Sequence, residues 1–445
     1  MKKILCILSI AGLFAGCRQP SSTASEKSHL YDSSYKPAKF ADPQRHEKIS
    51  QCWAVVDSLY ARAARENHFP GLAYGIVVDG ELLHKGQFGF TDIDKKTPVS
   101  SSSMFRIASM SKSFTAMAIL RLRDQGLLQL DDPAEKYIPV LKKWRYLSAD
   151  APLITIRHLL THGAGFPEDN PWGDRQLGDT DKEFMDFLQK QPSFSHTPGV
   201  AYEYSNLGFA LLGKIITTVA GMPYQQYIRE NILRPLGMES SCYEYSQVQP
   251  EKLAHGYRWI NNSWREEALL HDPADGSWGA MGAMITSVDE FSKYMALHLS
   301  AWPASNEPEK GPVRRSSLRE MQYPWRFNGI TSSDSQDGCA TASAYCYGLR
   351  WEQTCKGITT IMHSGGLPGF GSQWRILPDY GIGVVAFANR TYAGLSAVNT
   401  AVLDTIVKLA QLEPRQLPAS EILTKRKYEL IHLLPNWEKA TESDI

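Results

Sequence analysis

The sequence lacks the features that define several large functional classes. After the first seventeen of its 445 residues, no stretch reaches the roughly 18 apolar residues that a membrane-spanning helix needs. Lysine and arginine total 47, aspartate and glutamate also total 47, and no basic run contains interleaved aromatics, so nothing favours a nucleic-acid partner. The seven cysteines include no Cys-x-x-Cys spacing, which gives no indication of a zinc or dithiol site.

His158 and His162, at helical spacing, are the nearest approach to a metal motif. A metal site needs several converging ligands, and no third ligand accompanies this pair. We therefore predict structural roles for both histidines, and we expect no metal and no cofactor.

The first seventeen residues predict an export signal. A basic start at Met1–Lys3 precedes an apolar run, Ile4–Phe14, that is too short to span a bilayer. Ala15 and Gly16 then precede Cys17, an ending similar to that of bacterial lipoprotein signals. This predicts lipidation of Cys17, a membrane partner through that anchor, and a place in the bacterial cell envelope on its periplasmic or extracellular face. An ordinary cleaved secretory signal is the alternative.

The rest of the chain divides into a tether, a body and a tail. Residues 18–43 are rich in serine, lysine and proline and predict a flexible tether. A body is predicted over 44–412, with a helical insertion at about 131–271. Residues 413–445 are charged and weakly patterned and are predicted to be a tail.

Within the body, hydrophobic periodicity favours an α+β fold. Apolar runs at 71–78 and 82–90 flank Asp79-Gly80, which predicts a hairpin, and a helix is expected from near Ser109 to Gly126. Residues 314–341 are predicted to form an exposed loop. The remaining predictions are a helix at 288–297, strands at about 347–353, 359–363, 371–377 and 382–388, and a closing helix at 397–412. This order favours an antiparallel sheet flanked by terminal helices, with an inserted all-helical domain.

Cysteine usage permits a disulfide, because an exported protein folds in an oxidising compartment. Cys339 lies close in sequence to Cys346 and Cys355, which predicts one local bridge without deciding the pair. Unbonded thiols without a role are the alternative.

Ser109 and Lys112 lie three residues apart at the start of a predicted helix. Residues at this spacing share a helix face, so the Lys112 amine can reach the Ser109 hydroxyl. A helix N-terminus also favours developing negative charge. A serine nucleophile needs a neighbouring base, and lysine can serve if burial or nearby positive charge depresses its pKa. The pattern alone is weak, since Ser33 and Lys36 match it within the tether, and a solvated helix start is the alternative.

Tyr204-Ser205-Asn206 follows a turn at Pro198-Gly199 and precedes an apolar helix predicted over 208–220. A phenol beside a lysine is a candidate general base and acid. Asn206 can hold a substrate carbonyl or the lysine by hydrogen bonds. The alternative is that Tyr204 packs in a core while Asn206 caps the helix.

His363-Ser364-Gly365-Gly366 ends a predicted strand. Glycines at a strand end allow a substrate to approach the backbone closely. The Gly366 amide, together with that of Ser109, could form an oxyanion hole. One donor in such a site stabilises the transition state by roughly 2.7–4 kcal/mol. The alternative for His363 is a histidine at the sheet edge whose hydrogen bond is satisfied.

These motifs, in this order, resemble the serine β-lactamase-related family in its class C branch. That branch contains class C β-lactamases, D-alanyl-D-alanine carboxypeptidases, D-aminopeptidases and β-lactamase-fold esterases. The resemblance covers about residues 46–412 and implies the β-lactamase/transpeptidase-like fold. Supporting strings are Phe105-Arg106-Ile107-Ala108, Leu159-Leu160-Thr161-His162-Gly163, Pro235-Leu236-Gly237-Met238 and Gly369-Phe370-Gly371-Ser372.

The resemblance also implies a role for each motif residue. Ser109 would be the nucleophile, Lys112 and Tyr204 the proton relay, and Asn206 a polar anchor. On the strand, His363, Ser364 and Gly365 would line the pocket, and Gly366 would share the oxyanion hole with the Ser109 amide.

One departure from the family bears on the substrate. Its β-lactamases and carboxypeptidases usually carry Lys-Thr-Gly where this chain has His363-Ser364-Gly365. That lysine helps attract a substrate carboxylate, whereas a histidine is mostly neutral near pH 7. The change favours esterase or peptidase chemistry over efficient β-lactam hydrolysis.

We therefore predict a serine hydrolase that forms a covalent acyl-enzyme on an ester or amide, with a small molecule or peptide as substrate. Weak β-lactamase activity stays open. One alternative is a lipoprotein that binds penicillin or cell-wall fragments with little turnover. Another is a structural envelope lipoprotein that retains the fold without the chemistry. The sequence does not predict an oligomeric state.

Overall fold

The computed structural model describes residues 35–268, 276–331, 339–416 and 421–433. The predicted signal with Cys17, and the tether up to residue 34, lie outside the described residues.

The described ranges contain thirteen strands. In chain order they are β1 Gly71–Val78, β2 Glu81–Asp92, β3 Thr97–Pro98, β4 Phe105–Arg106, β5 Tyr257–Ile260, β6 Ser263–Glu266, β7 Ile285–Thr286, β8 Arg326–Thr331, β9 Thr341–Tyr345, β10 Arg350–Thr354, β11 Thr359–Leu367, β12 Phe370–Leu377 and β13 Ile382–Ala388.

Nine of these strands form one antiparallel sheet, in the order β3-β2-β1-β13-β12-β11-β10-β9-β8. The β1–β2 hairpin turns at Asp79-Gly80, as predicted, where both residues have positive φ. β1 also pairs with β13, the last of the described strands, with Leu72 opposite Ala388. The antiparallel sheet and its mixture with helices confirm the predicted fold class.

Eleven α-helices accompany the strands in the described residues. They are α1 Arg45–Ser50, α2 Trp53–Glu66, α3 Ser111–Asp124, α4 Ile156–Leu160, α5 Asp181–Gln189, α6 Asn206–Ala220, α7 Tyr224–Ile228, α8 Val288–Leu299, α9 Arg315–Met321, α10 Ser396–Leu409 and α11 Glu421–Leu433.

The two faces of the sheet bury different helices because side chains alternate along each strand. On one face, Leu72 and Ile76 of β1 pack with Val56 of α2 and Val402 of α10. On the other face, Ala73 and Val77 of β1 belong to a larger core that includes α3, α6 and α8. This second core continues into the predicted helical insertion, so the insertion and the sheet share one hydrophobic interior.

The predicted helical insertion also contains one hairpin, formed by β5 and β6. Asn261 and Asn262 at its tip both have positive φ, which asparagine tolerates better than most residues. The surrounding pattern was too short and too polar to predict these two strands. Helix α6 begins and ends close to the predicted positions.

Residues 314–341 are not simply an exposed loop, and that prediction was wrong. The segment contains α9, which buries Leu318 and Met321, and β8, which forms the edge of the large sheet. β8 is largely exposed, including the apolar side chains of Phe327 and Ile330, and one of its sides has no neighbouring strand in the sheet. The predicted local disulfide is present between Cys339 and Cys355, while Cys346 is a buried free thiol.

The predicted tether and tail are both more ordered at their inner ends than the sequence indicated. The backbone N–H of Lys39 donates to the carbonyl of Gln416, and that of Gln416 donates to Lys39. α11 then lies within the predicted tail. These elements were missed because isolated backbone bridges and short charged helices leave little hydrophobic periodicity.

In the described part of the chain, no single helix is long and apolar enough to cross a membrane. α6 together with the segment Tyr224–Leu236 meets that criterion by length and composition only, as a pair bent by 77°.

Candidate active site

Ser109 lies in a short 3-10 turn, Ala108–Met110, that leads into α3. It is therefore one turn ahead of the helix that was predicted to begin near it. Ala108 has a φ of 49°, in the left-handed region that residues with a side chain rarely adopt. Such strained residues concentrate at functional sites, where the surrounding structure holds them. Here the Ile107 amide donates to the Met284 carbonyl at 3.0 Å and fixes one end of the turn.

Lys112 is fully buried beneath Ser109, on the first turn of α3. Its Nζ lies 3.0 Å from Ser109 Oγ, 2.7 Å from Asn206 Oδ1 and 2.8 Å from the Met281 carbonyl oxygen. The amine is thus surrounded by three oxygen atoms, one of which belongs to the candidate nucleophile.

Burial lowers the pKa of Lys112 to about 7, although the nearby Asp174 and Asp169 carboxylates act in the opposite direction. A neutral amine has two N–H groups and one lone pair. The carbonyl oxygens of Asn206 and Met281 can accept both N–H groups, which leaves the lone pair for the Ser109 hydroxyl. The geometry therefore suits Lys112 to act as a base toward Ser109.

Tyr204 packs between Lys112 and His162 and hydrogen-bonds to Ser109. Burial raises its pKa above the usual range, so the phenol keeps its proton. The sequence left Tyr204 as either base or acid. The structure favours a neutral phenol that donates or relays a proton, with Lys112 as the base.

Asn206 begins α6, and an aspartate from another loop holds it there. Asp169 accepts the backbone N–H groups of Asn206 and Leu207 at 2.7 and 2.9 Å, which caps the helix from a distance. The Asn206 side-chain Nδ2 donates to Asn170 Oδ1 at 2.8 Å. This turns its Oδ1 toward Lys112, so Asn206 both starts the helix and anchors the lysine.

The β11 strand passes directly beside the Ser109 turn. A side chain at Gly365 would overlap the Ile107 carbonyl oxygen and would lie only 2.9 Å from Ala108 Cβ. Glycine at this position is therefore required for the strand to approach the turn. Ser372 on β12 also donates to Ile107 at 2.7 Å and braces the same turn.

His363 is almost fully buried at the start of this stretch. Tyr345 Oη lies 3.1 Å from its Nε2, and the Ser364 carbonyl oxygen lies 2.6 Å from its Nδ1. Burial, together with the charges of Lys112 and Arg350, lowers the pKa of His363 to about 3. The ring is thus neutral and hydrogen-bonded on both nitrogens, which agrees with the expectation that it carries no charge near pH 7.

These residues surround a cavity of about 560 Å³. Six of the predicted site residues line this cavity: Ser109, Tyr204, His363, Ser364, Gly365 and Gly366. The other two, Lys112 and Asn206, are buried beneath it. Further lining residues, which the sequence motifs did not reveal, include Arg350, Asp174 and Tyr392.

Arg350 changes the interpretation of the missing lysine. It lies on β10 opposite Met362 of β11, and its guanidinium donates to Tyr202 Oη at 3.3 Å. The cavity therefore contains a permanent positive charge next to His363, supplied by the adjacent strand. The sequence predicted a neutral side chain at His363, but it did not reveal that Arg350 brings a positive charge to the same cavity. The pairing of Arg350 with Met362 could only follow from the sheet register.

His162 has a structural role, as predicted. Its Nδ1 accepts the Ser205 backbone N–H at 3.1 Å, and its ring packs against Tyr204 and Tyr345. Among the described residues, no group of three or more histidine, cysteine, aspartate or glutamate side chains is arranged to hold a metal ion.

A family model described as Beta-lactamase matches residues 54–406, most of the chain. The chain belongs to the β-lactamase family. Relatives in this family include Protein flp of Staphylococcus aureus (strain MW2), which is 28% identical over 341 residues, covering 75% of this chain and 62% of flp. Penicillin-binding protein 4* of Bacillus subtilis (strain 168) is 24% identical over 352 residues, which cover 75% of this chain and 71% of that protein. This β-lactamase-family chain thus spans less than two thirds of flp.

Solved structures agree with this family assignment. The octameric penicillin-binding protein homologue from Pyrococcus abyssi is 26% identical with a TM-score of 0.66, covering 85% of this chain and 81% of that one. The penicillin binding protein from Bacillus halodurans is 25% identical with a TM-score of 0.60, and the match covers 78% of this chain and 98% of that one. Both matches agree with the β-lactamase-family fold of this chain.

Proposed function

We propose that this protein is a serine hydrolase that cleaves an ester or amide through a covalent acyl-enzyme. One observation carries the proposal: the Lys112 amine, whose pKa burial lowers to about 7, lies 3.0 Å from Ser109 Oγ. A base of this pKa is half neutral near pH 7, which is where general base catalysis is most effective. Membership of the β-lactamase family supports the same reaction class.

In the proposed reaction, neutral Lys112 removes the Ser109 proton as Oγ attacks the carbonyl carbon. The carbonyl oxygen becomes an oxyanion, for which we propose the backbone amides of Ser109 and Gly366 as donors. As the tetrahedral intermediate collapses, the leaving group takes a proton through Tyr204, whose phenol is replenished from Lys112. The acyl group then remains on Ser109 until water, deprotonated by the same relay, attacks it and frees Oγ.

Arg350 favours a substrate with a carboxylate on the leaving-group side. Arg350 lines the cavity, and no carboxylate in the described residues forms an ion pair with it, so its guanidinium is suited to bidentate recognition of a carboxylate from the substrate. Peptide C-termini and β-lactams both carry such a group. This keeps a second candidate function open, a penicillin-binding protein that is acylated but turns over slowly.

The test is intact-mass spectrometry after incubation with a fluorophosphonate probe. We expect the wild type to gain one adduct, Ser109→Ala to gain none, and the exposed-site control Ser263→Ala to label like the wild type. An equal adduct on Ser109→Ala, or no adduct on the wild type, would disprove the mechanism.

A second experiment separates turnover from stable binding. The protein is incubated with a p-nitrophenyl ester and with a chromogenic cephalosporin, and its mass is followed over time. Loss of the acyl mass with release of product supports the hydrolase. A persistent acyl mass without further product supports the penicillin-binding alternative.

A further inference from the structure

His162, just after α4, holds the backbone on both sides of Tyr204. The Glu203 backbone N–H donates to the His162 carbonyl oxygen at 3.0 Å, and the Ser205 backbone N–H donates to His162 Nδ1 at 3.1 Å. These amides belong to the residues immediately before and after Tyr204. A single residue of another segment therefore fixes the main chain from which the Tyr204 phenol extends.

The His162 ring also confines the Tyr204 ring. The two ring centroids lie 4.2 Å apart with an interplanar angle of 40°, and Lys112 Nζ lies 4.9 Å from the Tyr204 ring centroid. Tyr345 packs against His162 with centroids 4.4 Å apart, so the imidazole is itself held in place. Backbone and ring contacts together leave the phenol little freedom to turn away from Ser109, its hydrogen-bond partner.

A histidine at this position carries two costs in free energy. Its φ of 52° lies in the left-handed region that residues with a side chain rarely adopt. Because Nδ1 accepts the Ser205 N–H, the ring proton is on Nε2, and this buried N–H has no protein partner in the described ranges. Strained residues concentrate at functional sites, and a buried unpaired donor calls for an explanation. A leucine would avoid the unpaired donor, but it could not accept the Ser205 N–H.

His162 acts on Tyr204 rather than on the substrate, because it is buried and does not line the cavity. Burial and the charge of Lys112 lower the pKa of His162 well below its ordinary value, so the ring is neutral and Nδ1 stays an acceptor. The bond to the Ser205 amide therefore persists over the pH range in which the reaction is proposed to run.

We propose that His162 is a positioning residue for protonation of the leaving group. Through its carbonyl oxygen and Nδ1 it keeps the Tyr204 phenol between Ser109 Oγ and the departing atom. The inference rests on the proposed function, in which Tyr204 passes that proton, and it assigns no bond making or breaking to His162. Such positioning matters because a displacement of about 1 Å at a catalytic group can cost roughly 100-fold in rate.

The test uses two esters that share an acyl group and differ in their need for an acid. The p-nitrophenolate of p-nitrophenyl butyrate departs without a proton, whereas the alkoxide of ethyl butyrate is too basic to depart unprotonated. A smaller fraction of folded protein would lower kcat/KM for both esters by the same factor. Misplacement of Tyr204 would lower it chiefly for ethyl butyrate.

Two variants of similar size separate the acceptor from the bulk of the side chain. His162→Leu loses the acceptor, while in His162→Asn the side-chain oxygen can accept the Ser205 N–H, and asparagine tolerates a left-handed backbone. We expect His162→Leu to lower kcat/KM for ethyl butyrate about 10- to 100-fold more than for p-nitrophenyl butyrate, as for partial loss of a general acid. His162→Asn should change both by similar factors.

His158 provides the matched control on α4. Its Nδ1 also accepts a backbone N–H, that of Thr155 at 3.3 Å, but this bond caps α4 and does not involve the Tyr204 segment. His158→Leu should therefore leave the ratio of kcat/KM values for the two esters unchanged. Equal losses on both esters in His162→Leu, or the same change of ratio in His158→Leu, would overturn the inference.

Hydrogen exchange tests the hold on the backbone without any reaction. By mass spectrometry, the Ser205 amide should lose protection in His162→Leu and keep it in His162→Asn; unchanged protection in His162→Leu would overturn the inference. If His162→Leu does not fold, His162→Gly takes its place, because glycine adopts a left-handed backbone without strain. Failure of the hydrolase is seen separately, as a wild type that gains no fluorophosphonate adduct while its Ser205 amide remains protected.

Discussion

At the scale of single residues, Lys112 determines when the site can react. It is buried without a carboxylate in hydrogen-bond contact, and its own bonds go to Ser109, Asn206 and Met281. Desolvation of the cation outweighs its attraction to the Asp174 and Asp169 carboxylates, so the neutral amine becomes accessible near pH 7. The charge state of one side chain therefore sets the pH range of the chemistry.

We predict that kcat/KM for a neutral ester rises as pH increases through about 7, because only deprotonated Lys112 can accept the Ser109 proton. Tyr204 adds no loss at moderately alkaline pH, since burial raises its pKa. Lys112→Arg should lower the rate by about 10²- to 10⁴-fold and remove the inflection, because a guanidinium stays protonated. A stopped-flow pH profile checks this, and a flat wild-type profile between pH 5 and pH 9 would contradict it.

Gly365 offers a second test at this scale. In Gly365→Ala the new methyl group would collide with Ile107 and displace the Ser109 turn from β11. A shift of about 1 Å at a catalytic group can cost roughly 100-fold in rate, so acylation by the fluorophosphonate should slow by at least that factor. Gly394→Ala, where no atom lies within 4 Å of the added carbon, should label normally. Wild-type labelling by a folded Gly365→Ala variant would refute the required close approach.

The motif residues could be identified from the sequence, but their supporting residues could not. Ser109 and Lys112 lie on one helical turn, so spacing alone brings them together. Asp169 and Arg350 reach the site through a loop and a strand register that no local pattern encodes. Asp174 and Tyr392 are even less predictable, since they are 218 residues apart and meet only in the folded chain.

At the scale of secondary-structure elements, the start of α6 connects stability to the site. Its N-terminal amides are satisfied by Asp169 rather than by its own Ser205, which makes no side-chain capping bond. The helix therefore needs the preceding loop in place before Asn206 can hold Lys112. Strong apolar periodicity made the helix predictable, while its cap belongs to a different segment.

We predict that Asp169→Ala lowers the free energy of unfolding by roughly 0.5–2 kcal/mol, as for loss of an N-cap, and also reduces acylation of Ser109. Urea denaturation and fluorophosphonate labelling measure the two effects. Thr180→Ala is the control, because Thr180 caps α5 in a capping box that does not contact Lys112. It should cost similar stability with unchanged acylation. Equal losses of acylation in both variants would indicate a general folding defect instead.

The β9–β10 hairpin is clamped at its open end by the Cys339–Cys355 disulfide, which closes a 16-residue separation. In the chain-entropy description, a disulfide that closes a loop of this size raises the free energy of unfolding by about 3 kcal/mol. We expect Cys339→Ser/Cys355→Ser to unfold at lower urea concentration by about that amount. A reducing agent should shift the wild type in the same direction and leave the double variant unchanged. Equal midpoints for the oxidised wild type and the double variant would contradict this expectation.

At the scale of the whole molecule, the fold class was predictable because the sheet strands have strong period-two patterns and the long helices strong apolar faces. The hairpin β5–β6, the edge strand β8 and α11 were not, since they are short, polar or exposed. Tertiary contacts hold such elements in place, and a local sequence pattern does not contain them.

We propose that the protein is attached to the bacterial envelope through a lipid on Cys17, as its first seventeen residues indicate. The expected result is incorporation of labelled palmitate by the wild type and its recovery with membranes, both lost in Cys17→Ser. An ordinary secretory signal would give an unlabelled, processed wild type instead, which would overturn the proposal. Cys242→Ser, at a buried thiol remote from the signal sequence, controls for general effects of cysteine replacement.

The pairing of β1 with β13 has a consequence for how the protein is made. On a ribosome or in a translocation channel, β1 emerges first, yet one of its two neighbours is the last strand of the sheet. Ser109 likewise emerges long before Gly365, the strand position that lies against its turn. Such distant pairings delay folding until nearly the whole chain is free. A nascent or truncated chain would carry the serine but no assembled site, so the reactive centre would form only when synthesis and transport are essentially complete.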